Sequence, residues 1–143
     1  MNKNGNDNDG NDAQFSRDAD YDLAQLQGTW KVIKVTHKGS DITHVARDHQ
    51  LAVLIIDQRR WITPEHGRRP AKEVAFDVVA SHTPKYIGYQ GHPEMGNAIY
   101  DVRDDVLTIA NCKEYHPANF DTPPDEDKVV IVYMRERDVP GSQ

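Results

Sequence analysis

From Thr29 to Glu136 the chain repeats one pattern, a short run of alternating or wholly apolar residues closed by Gly, Pro, Asp or Asn. The runs are "TWKVIKVT", "HQLAVLIID", "WIT", "KEVAFDVVA", "KYIGYQ", "NAIYDVR", "VLTIANC" and "KVVIVYMRE". Their β-branched and aromatic content, period of two and regular spacing predict eight strands, with no long amphipathic helix between them. An open sheet of that size leaves two exposed edges, so the economical arrangement is an up-and-down antiparallel barrel. Alternation assigns an inward face to Val74, Phe76 and Val78, to Ile87 and Tyr89, and to Tyr100 and Val102. It does the same for Leu107 and Ile109, and for Val129, Ile131 and Tyr133.

Two segments break the period. "DADYDLAQLQG" offers an Asp cap near Asp20, Leu23 and Leu26 three apart, and Gly28 as a stop, which predicts one or two helical turns ahead of the first strand. In "DITHVARDHQ", Ile42, Val45 and Ala46 share a face behind Asp41, which predicts a short capped helix across one barrel opening.

Composition narrows the class. The chain has 143 residues, enough for one domain, and 37% of them are hydrophobic, with no apolar run long enough to span a membrane. A formal charge of -6 argues against nucleic-acid binding, which needs a concentrated basic surface. The start "MNKNGNDNDGNDAQ" buries nothing that would offset the entropy of ordering it, so residues 1–19 read as a disordered tail, 20–137 as the barrel domain and 138–143 as a second tail. The single Cys112 cannot form an internal disulfide, and no charged start leads into an apolar signal core, so the expected location is cytoplasmic.

The segments "LQGTWKV", "GNAIYDVRDDVLTIANC" and "VVIVYMRER" resemble an uncharacterised lipocalin-like domain family abundant in Planctomycetes, over about Leu23 to Arg137. The first is also similar to the Gly-x-Trp signature of lipocalins and fatty-acid-binding proteins. The resemblance implies a calycin-type barrel with a cavity, in which Trp30 closes one end under a cation from the last strand. It supplies no activity and no catalytic residues. The same residues support a plug physically: Gly28 permits a tight turn, Trp30 fills the end, and Arg135, or Arg137 if the last strand is shifted, covers the indole.

Candidate chemistry is sparse. Seven histidines form no recognised ligand framework, so neither a metal nor another cofactor is expected. Cys112 and His116 are four residues apart and read first as packing and loop residues, with a thiolate pair as the alternative. His92 and Glu94 in "GHPEMG" offer acid/base groups near a barrel mouth. Arg59 and Arg60 with Arg68 and Arg69 concentrate positive charge around Trp61, while "FDTPPDEDK" is an acidic loop expected to face water. Three functions stay open. The leading one is binding of a small, mainly apolar molecule in the barrel, with Phe76, Tyr89, Tyr100 and Tyr133 lining the cavity and hydroxyls orienting a polar end. The others are a small cyclase or isomerase in the same chamber, and a filled barrel whose loops contact another protein.

Overall fold

The ladder of hydrogen bonds closes on itself because the first strand pairs on both sides. The computed structural model describes residues 18–48, 52–65, 70–81, 83–91 and 95–136. Helix α1 (18–26) precedes β1 (Gly28–His37), the two-residue β2 (Ser40–Asp41) and helix α2 (Thr43–Asp48). There follow β3 (Val53–Asp57), β4 (Arg60–Thr63), β5 (Lys72–Val79), β6 (Lys85–Tyr89), β7 (Asn97–Arg103), β8 (Val106–Cys112) and β9 (Lys128–Arg135). All pairings are antiparallel, and β1 pairs with β3, with β9 and with the small appendage β2. Leaving β2 aside, eight strands form a closed up-and-down barrel, as the pattern of apolar runs predicts.

Every inward position assigned by alternation lies in or against one interior cluster. Val74, Phe76, Val78, Ile87, Tyr100, Leu107, Ile109, Ile131 and Tyr133 are buried there, and Tyr89, Val102 and Val129 pack on it. Strand β1 departs from strict alternation. Its register against β9 shifts between Val32 and Lys34, so Ile33 is the extra residue of a bulge, and the inward side chains run Trp30, Val32, Val35. Without the bulge, Lys34 would point into the core, where an unpaired ammonium is expensive to desolvate.

One barrel end, the floor, carries α1, the turns at 58–59 and 104–105, and the facing ends of β5 and β6; the other, the rim, carries α2. Helix α1 is described from residue 18, two positions ahead of the expected start, and Ala19, Leu23 and Leu26 turn into the core. The remaining residues of the expected tails, 1–17 and 138–143, lie outside the described set. Helix α2 is capped as the sequence suggests: Thr43 N donates to Asp41 Oδ1 at 2.9 Å. Thr43 Oγ1 accepts from Val35 N at 2.9 Å, and Arg47 reaches the Val32 carbonyl at 2.7 Å, so α2 is stitched to the bulged strand.

The connection 113–127 does more than cross water. Phe120 and Tyr86 cover a second buried cluster of Ile99, Ala110 and Val130 on the outer face of β7, β8 and β9. Lys128, buried at the start of β9, donates through Nζ to Asn119 Oδ1 at 2.8 Å and to Asn119 O at 3.2 Å, and pairs with Glu126 at 3.4 Å. The acidic residues Asp121, Asp125 and Asp127 remain exposed, as expected of that loop.

Candidate functional site

The floor is a latch built from backbone accounting. A helix leaves its last carbonyls without partners, and buried ones must find donors. In α1 the donors come from Trp30, Arg135 and Gln27. Trp30 Nε1 donates to Leu26 O at 2.8 Å, Arg135 donates to Gln25 O at 2.5 Å and to Gln27 O, and Gln27 Nε2 reaches Leu23 O at 3.0 Å. Trp30 and Arg135 are direct cross-strand partners, which sets the guanidinium 4.3 Å from the centroid of the indole. Arg135 also pairs with Asp105 at 3.1 Å. Gly28 has φ +127°, and a Cβ there would stand 3.2 Å from Arg135 Nη1, so this glycine gives the latch its room. Gly28, Trp30 and Arg135 thus sit together; Arg137 lies outside the described residues.

A second floor contact belongs to Tyr100. Its hydroxyl donates to Asp22 Oδ2 at 2.7 Å, and Lys85 Nζ reaches the same oxygen at 2.8 Å. Burial, then the carboxylate it faces, holds the Tyr100 phenol well above the usual tyrosine range. Tyr100 therefore ties α1 to the barrel. Asp22 was not among the sequence candidates, yet it falls on the stripe of Ala19, Leu23 and Leu26, which was the available signal.

Above the floor the interior stays mostly buried, with a few half-buried side chains near the rim. Trp30, Phe76 and Leu107 are completely inaccessible, whereas Tyr89, Met95 and Val129 are half-buried. Trp61, read in the sequence with its basic neighbours, is buried between two rings: it meets Phe76 edge-on at 5.5 Å and Tyr89 at 5.3 Å. Burial pushes the Tyr89 and Tyr133 phenols well above the ordinary range, and Tyr133 adds to the shift at Tyr89. Among the described residues neither hydroxyl has a hydrogen-bond partner. Asn111 also faces inward near the rim. Its Nδ2 donates to Met95 O at 3.0 Å, while its Oδ1 is buried and unpartnered among the described residues. The rim half of the interior is thus apolar, with two phenols and one amide turned into it.

The other sequence candidates go elsewhere. Arg59 pairs with Asp77 and Arg60 with Asp57 and Glu73, all on the surface, while Arg68 and Arg69 lie outside the described residues. Cys112 is buried on the outer face beside the Tyr115 hydroxyl, whose pKa is pushed up to about 12 chiefly by that contact, and His116 stacks on Tyr86 at 4.7 Å. His92 and Glu94 lie outside the described residues. Among the described residues no group of three or more His, Cys, Asp or Glu could hold a metal ion, and no helix is long and apolar enough to cross a membrane.

No family model, curated protein or solved structure matches the chain. The functional reading therefore rests on the barrel and its side chains.

Proposed function

We propose that the protein binds a small, mainly apolar molecule in its barrel, and that Tyr89 and Tyr133 orient the polar end of that molecule. The observation that carries this is the pair of phenols turned into the apolar interior, whose hydroxyls have no partner among the described residues. A hydroxyl covered by a ligand and left without an acceptor costs about 1–3 kcal/mol, so a molecule seated over these groups has to match them. A bound molecule with a hydrogen-bonding end would match them while its body covers Met95 and Val129. The Trp30 and Arg135 latch supports grouping the chain with lipocalin-like barrels, where this use of the interior would be at home. The filled-barrel module is favoured by the side chains without accessible surface, which run from Trp30 and Leu107 up to Val35 and Ala98.

The test is native mass spectrometry of freshly purified protein for a retained small molecule, followed by titration with an apolar fluorescent dye. Tyr89→Phe and Tyr133→Phe should each weaken binding by about 0.5–1.5 kcal/mol, the net worth of a neutral hydrogen bond. Unchanged affinity in both variants would refute the reading.

A further inference from the structure

The barrel wall is incomplete beside Tyr89. Strands β6 and β7 pair from Lys85 and Tyr100 to Ile87 and Ala98, and there the ladder stops. Strand β6 continues through Gly88 and Tyr89 with only β5 beside it, where Gly88 pairs with Asp77 and Tyr89 with Phe76. The start of β7 is drawn the other way. Gly96 has φ +79°, and a Cβ on it would stand 2.8 Å from Asn111 Oδ1 and 3.0 Å from Cys112 O, so the backbone lies hard against β8. Asn111 Nδ2 holds Met95 O, and Asn97 Nδ2 reaches the carbonyls of Cys112 at 3.5 Å and Lys113 at 3.4 Å. Residues 95–97 are thus fastened to β8 and leave β6.

A cleft of about 380 Å³ fills the gap between these strands. Ile87, Gly88 and Tyr89 line one side and Gly96 and Asn97 the other, while His116 and Lys113 stand at its outer lip. That volume is within the range of small-molecule sites, roughly 300–1,000 Å³. The cleft joins the outer surface to the ring whose hydroxyl faces the interior. Charge decides what it suits. The inward cations at the floor, Lys85 and Arg135, are engaged by Asp22 and by Asp105 with the helix carbonyls. Among the described residues the one buried cation is Lys128, which Asn119 and Glu126 hold at the start of β9. A carboxylate drawn past Lys113 and His116 at the lip would lose its hydration with no cation inside to replace it, whereas a phenol donates well to a neutral carbonyl oxygen.

We propose that the gap between β6 and β7 is the doorway of the ligand site, and that the molecule it admits is uncharged and apolar with a carbonyl-type oxygen that the Tyr89 hydroxyl meets. This rests on the interior binding reading and goes further by naming the route and the ligand class. Gly88 provides the test. A Cβ built there meets nothing within 4 Å, so a side chain can be added over the cleft without disturbing the packing. The probes are Nile red, neutral with a ring carbonyl, and cis-parinaric acid, apolar with a carboxylate, mixed with the protein in stopped-flow fluorescence. Wild-type protein should bind Nile red at least about tenfold more tightly, and Gly88→Trp should slow its association about tenfold at an unchanged melting temperature. Gly88→Val, a smaller plug and a better strand former, should slow it less. Val45→Trp, at an exposed position of α2 by the rim, should leave the rate alone.

Each result has a separate meaning. If Tyr89→Phe weakens Nile red while Gly88→Trp leaves association unchanged, or if Val45→Trp slows it instead, the doorway is overturned and the interior site stands. Tighter binding of cis-parinaric acid overturns the ligand class. Should neither probe bind wild-type protein, or should Tyr89→Phe and Tyr133→Phe leave binding unchanged, the interior reading falls and the doorway with it.

Discussion

Replacing Trp30 by Ala tests whether the floor latch holds the barrel closed. The indole is completely inaccessible, donates to Leu26 O at 2.8 Å, and carries the Arg135 guanidinium 4.3 Å above it. An aromatic of this size buries about 200 Å², which at about 25 cal/mol per Å² is roughly 5 kcal/mol as an upper bound, since unfolded chains bury some surface already. Leaving the Leu26 carbonyl without its donor adds about 1–3 kcal/mol, and local collapse or water returns part of both amounts. Measured costs of truncating buried aromatics run about 3–5 kcal/mol, and about 4–5 kcal/mol is expected here. That is a large share of the roughly 5–15 kcal/mol that holds a domain together. In urea, with a slope of about 1–3 kcal/mol per M, the midpoint should fall by about 1.3–5 M, monitored by far-ultraviolet circular dichroism. Trp30→Phe keeps most of the volume and loses the N–H, so it should cost about 1–2.5 kcal/mol. A double-mutant cycle with Arg135→Met should return a coupling of about 1–2 kcal/mol, because stacking and helix capping act through one guanidinium. A midpoint shift below about 0.5 M for Trp30→Ala, at an unchanged slope, would refute the latch.

Asp22→Ala should cost about 2 kcal/mol in urea, because it strands the Tyr100 hydroxyl, with the Lys85 share discounted for its exposure. Gly96→Ala should lower stability by about 1–3 kcal/mol in thermal unfolding, since it combines a left-handed backbone with a Cβ that has no room. Hydrogen bonds from the Thr43 side chain and backbone lower the Asp41 pKa, and the hydrogen bond from His37 lowers that of Asp127. Such depressed carboxylates stabilise the fold above their unfolded values, near pH 4, and the contribution disappears as pH falls through the lower folded ones. The melting-temperature gap between wild type and Asp41→Asn should therefore be present at pH 7 and shrink as pH falls below about 4. The sign reverses for the phenols. Tyr89, Tyr100 and Tyr133 are held neutral in the fold, so stability should decline as pH rises above about 10, and ultraviolet titration should show their ionisation only together with unfolding.

Strand number, strand order and the inward set from Val74 to Tyr133 were legible because a closed antiparallel barrel imposes a period of two on every strand and turn residues on every connection. The partnership of Trp30 with Arg135 was legible for a related reason: the first and last strands must meet to close the sheet, so their ends face each other. Alternation also held the signal for Trp61, but its cationic neighbours drew the reading to the surface, where the structure pairs Arg59 and Arg60 with carboxylates. Three features needed the tertiary structure. The bulge at Ile33 keeps Lys34 out of the core by a register shift that depends on β9. The bond between Tyr100 and Asp22 joins residues 78 positions apart, and no local pattern encodes such a distance. The gap beside Tyr89 exists because Gly96 packs against Asn111 and Cys112, and a glycine in a turn looks the same in sequence whichever neighbouring strand it leans on. Local periodicity determined which face of each strand is buried; long-range packing decided which buried polar groups were satisfied and where the wall was left open.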